Sequence, residues 1–382
     1  MSAPTLLYLV TEDWFFWSHR LPIARAARDA GFRVVVATRE NAHGDRIRAE
    51  GFALAPIRLR RRAWSPPGEI AAIEDLVRLY RQERPSIVHH VAMKPVIYGT
   101  IAARRTGVPA IINALDGLGF VYGSSRPAAR LIRPGVSRLL AWALGRPNVH
   151  VHLQNEDDRA TLVRVGALGH DRVSVIRGAG IDLGHFSPLP DPPPPFTIAI
   201  AARMIAEKGI DDLVDAVGAL NAAGTPARLV LAGAPDRDSP TAIPEAMLAA
   251  WSALPYVEWR GHVGDVRTIW ADAHVSALPS SGEGLPKALI EAAACERALV
   301  ATDVPGNREV VRDGETGLVV PYRDVAALAG ALARLSADPA LRRRMALAAR
   351  AMVEREFSEA VVAAATLRLY RSLLPATDAS LS

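Results

Sequence analysis

The chain has 382 residues, which is long for one hydrophobic core and typical of two domains. Its one cysteine, Cys295, excludes an internal disulfide, and no apolar run reaches the roughly 18 residues of a membrane-spanning helix. The charge is uneven, because residues 1–187 carry 26 Lys and Arg against 16 Asp and Glu, whereas residues 188–382 carry 19 against 24.

The first half alternates apolar segments with amphipathic ones, which predicts a parallel, doubly wound α/β sheet. The predicted strands cover residues 6–10, 33–38, 53–59, 87–91, 110–114, 149–154 and 173–176, and the predicted helices cover 21–30, 69–83, 96–106 and 157–165. A loop is predicted between the first strand and the first helix. Residues 126–146 are predicted to be an irregular basic stretch, in which Pro134 divides any helix into two pieces.

A proline-rich segment, SPLPDPPPPF at 187–196, marks the change from the first half to the second. Four consecutive prolines cannot continue a helix or a central strand, and they form a stiff, extended spacer. We therefore predict a first domain over 1–187, a linker over 188–196 and a second domain over 197–357. The second domain repeats the alternation, with strands near residues 197, 229, 257, 274, 299 and 318 and helices over 324–334 and 339–356.

Two carboxylates bracket a predicted strand, turn and helix in the second domain. The strand covers 274–278, and the helix covers about 285–295 with Pro286 at its first position. The free amides and positive end of this helix would form an anion site suited to a diphosphate. Glu283 lies ahead of this site, and Glu291 lies about 7–8 Å of helix beyond Pro286. A nucleotide sugar has this layout, with sugar hydroxyls, diphosphate and ribose hydroxyls in series.

Two cations, Arg203 and Lys208, follow the first strand of the second domain at its carboxyl end, where open α/β sheets bind ligands. Across a turn both can reach one diphosphate, Arg203 as a fork and Lys208 as a point charge. They could then neutralise charge on a leaving nucleotide, as a metal ion does elsewhere. The alternative interpretation is a pair of solvated surface cations.

These motifs resemble those of the retaining glycosyltransferases of family 4. The resemblance rests on the E-x7-E pair Glu283 and Glu291 and on ARMIAEKG at 202–209, and it covers nearly the whole chain. It implies the GT-B fold, in which two Rossmann-like domains face a cleft, and a last helix, about 358–373, that returns to the first domain. It also implies catalysis involving Glu283 and a UDP- or GDP-sugar donor bound by Arg203, Lys208, Gly284, Leu285, Lys287 and Glu291.

Pro286 departs from this pattern. Much of the family has a glycine at this position, whose amide contacts the phosphate, and proline has no amide hydrogen. The phosphate contact must then come from the amides of Leu285 or Lys287, or depend more on Arg203 and Lys208. No cofactor is expected, and a metal-independent reaction is predicted. Asp236 and Asp238 form a D-x-D, the metal motif of another glycosyltransferase architecture, but so short a match is weak evidence for a metal site.

Three stretches of the first domain are similar to a branch of family 4 that acts on sugars linked to undecaprenyl diphosphate in bacterial glycan assembly. They are WSHRLPIARAARDAG, HHVAMKPVIYGTIAA and ALDGLGFVY. The similarity implies catalytic roles for His19 and Asp116 and an acceptor-binding role for Lys94. It also implies transfer of a hexose or N-acetylhexosamine to a glycan acceptor. The alternatives are a His19 that caps a helix, a solvated Lys94, and an Asp116 in an Asx-turn.

The first half also carries segments that suggest contact with a lipid. Four adjacent aromatics cannot all be buried by one face, so they either pack between domains or contact a polyprenyl lipid: Trp14, Phe15, Phe16 and Trp17. A basic amphipathic segment has the composition of an interfacial anchor, with arginines among leucines: Arg126, Arg130, Arg133 and Arg138. We therefore predict an anionic membrane surface as a partner, and a cytoplasmic protein that is peripheral at the inner face of the plasma membrane.

Other classes of function remain possible at this point. A GT-B epimerase or phosphorylase would need a nucleotide or phosphate site but no acceptor groove. A non-catalytic nucleotide-sugar-binding protein would need neither catalysis nor an acceptor. Nucleic acid is not expected as a partner, because the chain has neither zinc-ligand spacing nor a base-stacking pattern.

Overall fold

The structure is a computed structural model that describes residues 3–60, 65–118, 121–122, 127–169, 171–236 and 239–374. The chain divides into two compact units. The first unit contains Met1–Gly180 and Glu359–Ser382, and the second unit is Ile181–Ser358.

The first unit is built on a parallel sheet of seven strands in the order β3-β2-β1-β4-β5-β6-β7. The strands are β1 (Thr5–Glu12), β2 (Arg33–Arg39), β3 (Ala53–Pro56), β4 (Ile87–Val91), β5 (Ala110–Leu115), β6 (Val149–Leu153) and β7 (Val173–Val175). The central strands β1, β4 and β5 are buried along their whole length, as expected for a sheet that helices cover on both faces.

The helices of the first unit connect these strands, and one more comes from the far end of the chain. They include Asp13–His19, Leu21–Asp29, Gly44–Ala49, Pro66–Glu83, Met93–Thr106, Pro127–Leu144, Glu156–Arg164 and Glu359–Leu373. The last of these helices packs against the first sheet, where the Tyr370 hydroxyl lies 2.7 Å from the Tyr8 hydroxyl.

The second unit has six parallel strands in the order β10-β9-β8-β11-β12-β13. They are β8 (Phe196–Ala201), β9 (Ala227–Ala232), β10 (Val257–Trp259), β11 (Val275–Leu278), β12 (Ala298–Thr302) and β13 (Gly317–Val320). The helices are Ile210–Ala222, Glu245–Ser252, Arg267–Asp272, Lys287–Ala294, Asn307–Val310, Val325–Ala337 and Pro339–Glu356, and a 3-10 turn covers Ala206–Lys208. Two doubly wound α/β domains, the predicted class, are thus confirmed.

The division between the units lies before the predicted boundary at residue 187. Phe186 is buried in the core of the second unit, and the Ile181 amide donates to the Phe357 carbonyl at 2.9 Å. The proline-rich segment also packs on that unit, because Arg297 donates to the Pro190 carbonyl at 2.7 Å and Arg342 donates to Asp191 at 3.0 Å. Specific contacts with the second unit therefore hold the segment that was predicted to be a stiff, extended spacer.

Two predictions about the first unit are wrong at the level of local structure. The predicted loop after β1 is the helix Asp13–His19, because Phe16 packs with its ring 5.6 Å from Tyr8 and 6.1 Å from Phe52. The predicted irregular stretch is one helix, Pro127–Leu144, with Pro134 inside it. A proline inside a helix removes one backbone hydrogen bond, but burial of Leu140 and Leu144 on the same helix favours a continuous element.

Candidate functional site

Lys208 and Glu283 meet at the carboxyl edge of the second sheet. Strands β8 and β11 are neighbours, so the 3-10 turn that follows β8 and the loop that follows β11 emerge side by side. The Lys208 Nζ donates to Glu283 Oε1 at 2.6 Å, and both side chains are mostly buried, with 16% and 11% of their surfaces exposed. The ion pair holds one cation and one carboxylate together where parallel sheets bind ligands.

The backbone around this pair is closely packed. The Ser281 amide donates to the Glu207 carbonyl at 2.9 Å, which ties the loop to the turn that carries Lys208. Gly306 has a φ of 80°, and a Cβ there would lie 2.5 Å from the Glu283 carbonyl oxygen and 2.6 Å from that of Gly284. Only glycine lets the two loops approach this closely, so the position of Glu283 is determined by backbone contacts as well as by Lys208.

Arg203 has a different partner. Its guanidinium donates to Asp236 Oδ2 at 2.5 Å, and 44% of the Arg203 side chain remains exposed. The Met204 amide donates to the Ala234 carbonyl at 3.0 Å, so backbone pairing holds the segment that carries Arg203 beside the loop that carries Asp236. A guanidinium has five donors, and one carboxylate leaves several of them available to a ligand. Asp238 lies outside the described residues.

Glu291 lies one turn into the helix Lys287–Ala294, which begins after Pro286 rather than at it. Pro286 has extended backbone angles and is the residue before the helix, so the first amides of the helix come from Lys287 and Ala288. The Lys287 Nζ lies 3.1 Å from Glu291 Oε1. Burial raises the pKa of the Glu291 carboxyl, and the nearby charge of Lys287 opposes this rise. Leu285 packs against the core of the unit, which supports the loop ahead of the helix.

Asp116 in the first unit is held by a residue that the sequence analysis did not single out. Arg20 is completely buried and donates to both carboxylate oxygens of Asp116 at 2.5 Å. Burial alone would raise the pKa of the Asp116 carboxyl, but the charges of Arg20, His152 and His19 hold it below its usual value. In the sequence, the place of Arg20 directly after the candidate residue His19 was the signal that could have pointed to it. A buried arginine requires a carboxylate partner, and Asp116 supplies one.

His19 lies beside this pair. Its ring stacks on Phe15 with 4.1 Å between centroids, and its Nδ1 lies 2.6 Å from the Ser18 hydroxyl. Arg20 also donates to the His19 carbonyl at 3.2 Å. The structure therefore brings His19 and Asp116 together around Arg20, whereas Lys94 belongs to a separate cluster.

Comparison with known proteins identifies the family. Residues 195–338 match the family model described as "Glycosyl transferases group 1", and residues 5–146 match the one described as "Glycosyl transferase 4-like". The chain is also 30% identical over 333 residues to alpha-maltose-1-phosphate synthase of Mycolicibacterium smegmatis, which covers 78% of this chain and 82% of the relative. The chain belongs to this family of glycosyltransferases.

A second relative matches over a longer range. The glycosyltransferase is 23% identical over 366 residues to N,N'-diacetylbacillosaminyl-diphospho-undecaprenol alpha-1,3-N-acetylgalactosaminyltransferase of Campylobacter jejuni, with 92% of this chain and 94% of the relative covered. Among solved structures, sucrose-phosphate synthase from Thermosynechococcus elongatus superposes with a TM-score of 0.81 at 21% identity, over 97% of this chain and 99% of that one. The predicted GT-B fold is confirmed.

Lys94 of the glycosyltransferase has partners within the first unit. Its Nζ donates to Glu69 Oε1 and to the Arg60 carbonyl, each at 2.8 Å, and lies 5.5 Å from the centre of the Tyr98 ring. These contacts balance the charge of the Lys94 ammonium. To bind an acceptor, Lys94 would have to share or exchange these partners.

The four adjacent aromatics of the glycosyltransferase have different environments. Phe16 is completely buried in the core, which excludes it from contact with a lipid. Trp17 lies under the Arg46 guanidinium at 4.1 Å, and Phe15 stacks on His19. Trp14 is 41% exposed and is the member of the group that is most accessible to a partner.

The helix Pro127–Leu144 carries the predicted basic amphipathic face. Arg130 and Arg138 are exposed, whereas Arg133 donates to the Val121 carbonyl at 2.9 Å. Leu131 is 83% exposed, which is unusual for a leucine on a helix that packs against a core. Arg126 lies outside the described residues.

Two properties of the described residues concern the predicted partners. Within the described ranges, no helix is both long enough and apolar enough to cross a bilayer. Among the same residues, no three His, Cys, Asp or Glu side chains are grouped so that they could hold a metal ion.

Proposed function

We propose that this enzyme transfers a hexose or N-acetylhexosamine from a nucleotide-diphosphate sugar to a lipid-linked glycan acceptor, with retention of configuration, in bacterial glycan assembly. The observation that carries the proposal is the Lys208–Glu283 pair at the carboxyl edge of the second sheet. The printed names of relatives support the acceptor class. One is named for an undecaprenol-linked substrate, and another, from Staphylococcus aureus and 24% identical, is named as a capsular polysaccharide biosynthesis glycosyltransferase.

The donor half of the proposal follows from the cations and the helix start in the second unit. Arg203 retains donors beyond its contact with Asp236, and Lys208 offers a point charge. The first amides of the helix after Pro286 have no acceptor within that helix and favour an anion. These groups together would bind a diphosphate and stabilise the charge that grows on it as the sugar leaves.

The carboxylates then take the two ends of the donor. Glu283, in the loop before the anion site, would accept hydrogen bonds from sugar hydroxyls, and Glu291 would accept them from the ribose. As the bond from the anomeric carbon to the phosphate breaks, the leaving phosphate accepts the proton of the acceptor hydroxyl. The new bond forms on the same face of the sugar, which retains the configuration.

The acceptor half is assigned to the first unit. Asp116 and His19, which the buried Arg20 holds in place, would contact the acceptor sugars, and Lys94 would contribute a cation. The exposed arginines and leucines of the helix Pro127–Leu144 would hold the enzyme reversibly at an anionic membrane surface, where a lipid-linked acceptor resides.

The test of the function is product analysis. The full chain is incubated with a panel of UDP- and GDP-sugars, with and without a sugar linked to polyprenyl diphosphate. The expected result is transfer to the lipid-linked acceptor, with an α-anomer formed from an α-linked donor as read by NMR. Epimerisation or phosphorolysis of the donor that needs no acceptor, or inversion of the anomeric centre, would contradict the proposal.

Transfer should persist in excess EDTA, because Arg203 and Lys208 supply the charge that a metal ion supplies elsewhere. The measurement is the initial rate of transfer before and after chelation, followed by addition of Mg²⁺ or Mn²⁺. Loss of transfer that either ion restores would show that the reaction depends on a metal, and Asp236 would then be the first ligand to test.

Glu291→Gln should weaken binding of the free nucleoside diphosphate by about tenfold or more, the scale of one hydrogen bond to a charged group. It should not lower the melting temperature at neutral pH. Burial raises the pKa of this carboxyl, so its ionised form destabilises the folded state above that pKa. Calorimetric titration and thermal melting measure the two effects.

Glu283→Gln is the matched control for that experiment. Its proposed partner is the sugar, so affinity for the free nucleoside diphosphate should stay nearly unchanged while transfer slows. Equal losses of nucleotide affinity in both variants would contradict the assignment of the two carboxylates to opposite ends of the donor.

A further inference from the structure

A groove with a volume of about 410 Å³ runs along the helix Pro127–Leu144. One wall comes from residues of that helix, including Ser137 and Ala141, and the other comes from Val165 and Gly166, which follow the helix Glu156–Arg164. The lining that the structure describes thus comes from one helix of the first unit and from the two residues that follow another.

The charge of this groove has one sign. Arg130, Arg133 and Arg138 line it, and none of the described residues in its lining is acidic. Within the described part of the chain, neither Arg130 nor Arg138 pairs with a carboxylate. The guanidiniums of Arg130 and Arg138 bring the same charge to one groove and so favour an anion there, whereas that of Arg133 already donates to the Val121 carbonyl. Ser137 adds a hydroxyl to the same wall, 3.0 Å from the Tyr122 hydroxyl.

An apolar ridge lies on the same helix beside the groove. Leu131, Ile132 and Leu139 are 83%, 46% and 40% exposed, although Leu140 on the opposite face is completely buried. A helix that presents leucines outward next to arginines is suited to the boundary between acyl chains and headgroups. The ridge would enter the acyl region, which places the adjoining groove at the level of the phosphates.

One end of the groove lies away from the proposed acceptor site. Asp116 directly follows β5 at the carboxyl edge of the first sheet, and the helix Glu156–Arg164 starts at the same edge after β6. Val165 lies at the far end of that helix, about 14 Å of helix rise from the edge. The Val165 end of the groove therefore lies away from the edge of the sheet that carries Asp116.

We propose that this groove binds the phosphate headgroup of one anionic phospholipid of the bilayer while the ridge of Leu131, Ile132 and Leu139 inserts beside it. The inference rests on the proposed membrane association and specifies its partner. Attachment then depends on occupancy of a shaped site and not only on the summed charge of the surface.

The test compares variants that change the groove with variants that change charge elsewhere. Binding of the full chain is measured on vesicles of phosphatidylcholine with and without phosphatidic acid. Ala141→Phe fills the groove, keeps the net charge and adds apolar area, and it should weaken binding to the anionic vesicles at least about tenfold. If the protein surface acted only through charge and hydrophobicity, this variant would bind the anionic vesicles equally well or more tightly.

Arg104→Ser is the matched control for the arginines. Arg104 lies over the Trp142 ring at 5.0 Å and does not line the groove. Arg104→Ser should weaken binding to the anionic vesicles about fivefold, which is the effect of one surface charge. Arg130→Ser and Arg138→Ser should each weaken this binding about 25-fold. These exposed arginines can change without loss of the fold, so they test the proposal even if Ala141→Phe unfolds.

The outcomes separate the proposals. Suppose that Ala141→Phe binds anionic vesicles as tightly as the unaltered protein and that the three arginine variants lose equal amounts of vesicle affinity. The groove then has no specific ligand, and the proposed membrane association stands without it. If the unaltered protein fails to bind anionic vesicles at low salt, both ideas fall. If Ala141→Phe instead abolishes binding only to neutral vesicles that carry a polyprenyl-diphosphate sugar, the groove belongs to the acceptor, and the phospholipid assignment is wrong.

Discussion

Lys208→Ala and Arg203→Ala should each lower the rate constant for transfer about 10²–10³-fold, the scale for the loss of one preorganised charge stabiliser. In the proposed mechanism both cations act on the diphosphate as it gains charge, so the effect should appear in kcat more than in KM. The measurement is steady-state transfer at several donor concentrations. Near-normal turnover in either variant would remove that residue from the mechanism.

The two substitutions should differ in their effect on stability. Lys208 is mostly buried, and its removal leaves Glu283 without its cation, whereas Arg203 is 44% exposed, and its pair with Asp236 is screened by solvent. We expect a lower melting temperature for Lys208→Ala and little change for Arg203→Ala. Arg228→Ala is the matched control, since this partly exposed arginine pairs with Glu258 in the same unit. It should alter neither turnover nor melting.

Asp116→Ala should cost about 3–5 kcal/mol of folding free energy, because it leaves the fully buried Arg20 guanidinium without a counter-charge. The double variant Arg20→Met with Asp116→Ala should recover much of this loss, since no uncompensated charge then remains. Urea denaturation of the two single variants and the double variant measures the coupling directly. If the double variant is no more stable than the single Asp116 variant, the ion pair is not the source of the loss.

The same pair sets an expected dependence on pH. The pKa of Asp116 is lowered in the folded state, so the contribution of its charge to folding stability is fully present above the ordinary pKa of about 4 for an aspartate. The contribution is lost as the pH falls through the lowered pKa. The difference in stability between the unaltered protein and Asp116→Ala should therefore be constant near neutrality and shrink in acid. A difference that shrinks on raising the pH from neutral would contradict this assignment.

Asp116→Asn separates the effect of this residue on transfer from its effect on folding stability. Asp116→Asn keeps the shape of the side chain but removes its charge, so a loss of transfer that exceeds the loss of folded protein supports a role toward the acceptor. Donor hydrolysis should be spared, because the proposed donor residues lie in the other unit. Equal loss of transfer and hydrolysis would indicate a structural role for Asp116.

The sequence by itself determined the architecture and the residue types at the proposed donor site. Continuous apolar runs such as Leu6–Val10 and Ile87–Val91, separated by amphipathic helices, are compatible with a parallel sheet covered on both faces and with little else. Lys208 and Glu283 follow two strands that end at one edge of such a sheet, and residues at this edge can meet although 75 positions separate them in the chain. The apolar runs and the polar residues that follow each strand are local patterns, so both can be read from the sequence.

Only the tertiary structure decided where local preference gives way to packing. Asp13–His19 lacks a side-chain cap, yet it is helical because Phe16 fills a space beside Tyr8. Pro134 stays inside one helix because other residues of that helix are buried. Arg20 looks like an ordinary surface arginine until the fold encloses it and supplies Asp116 as its partner. Each outcome depends on contacts between residues far apart in sequence, and the burial energy they provide exceeds the local preference.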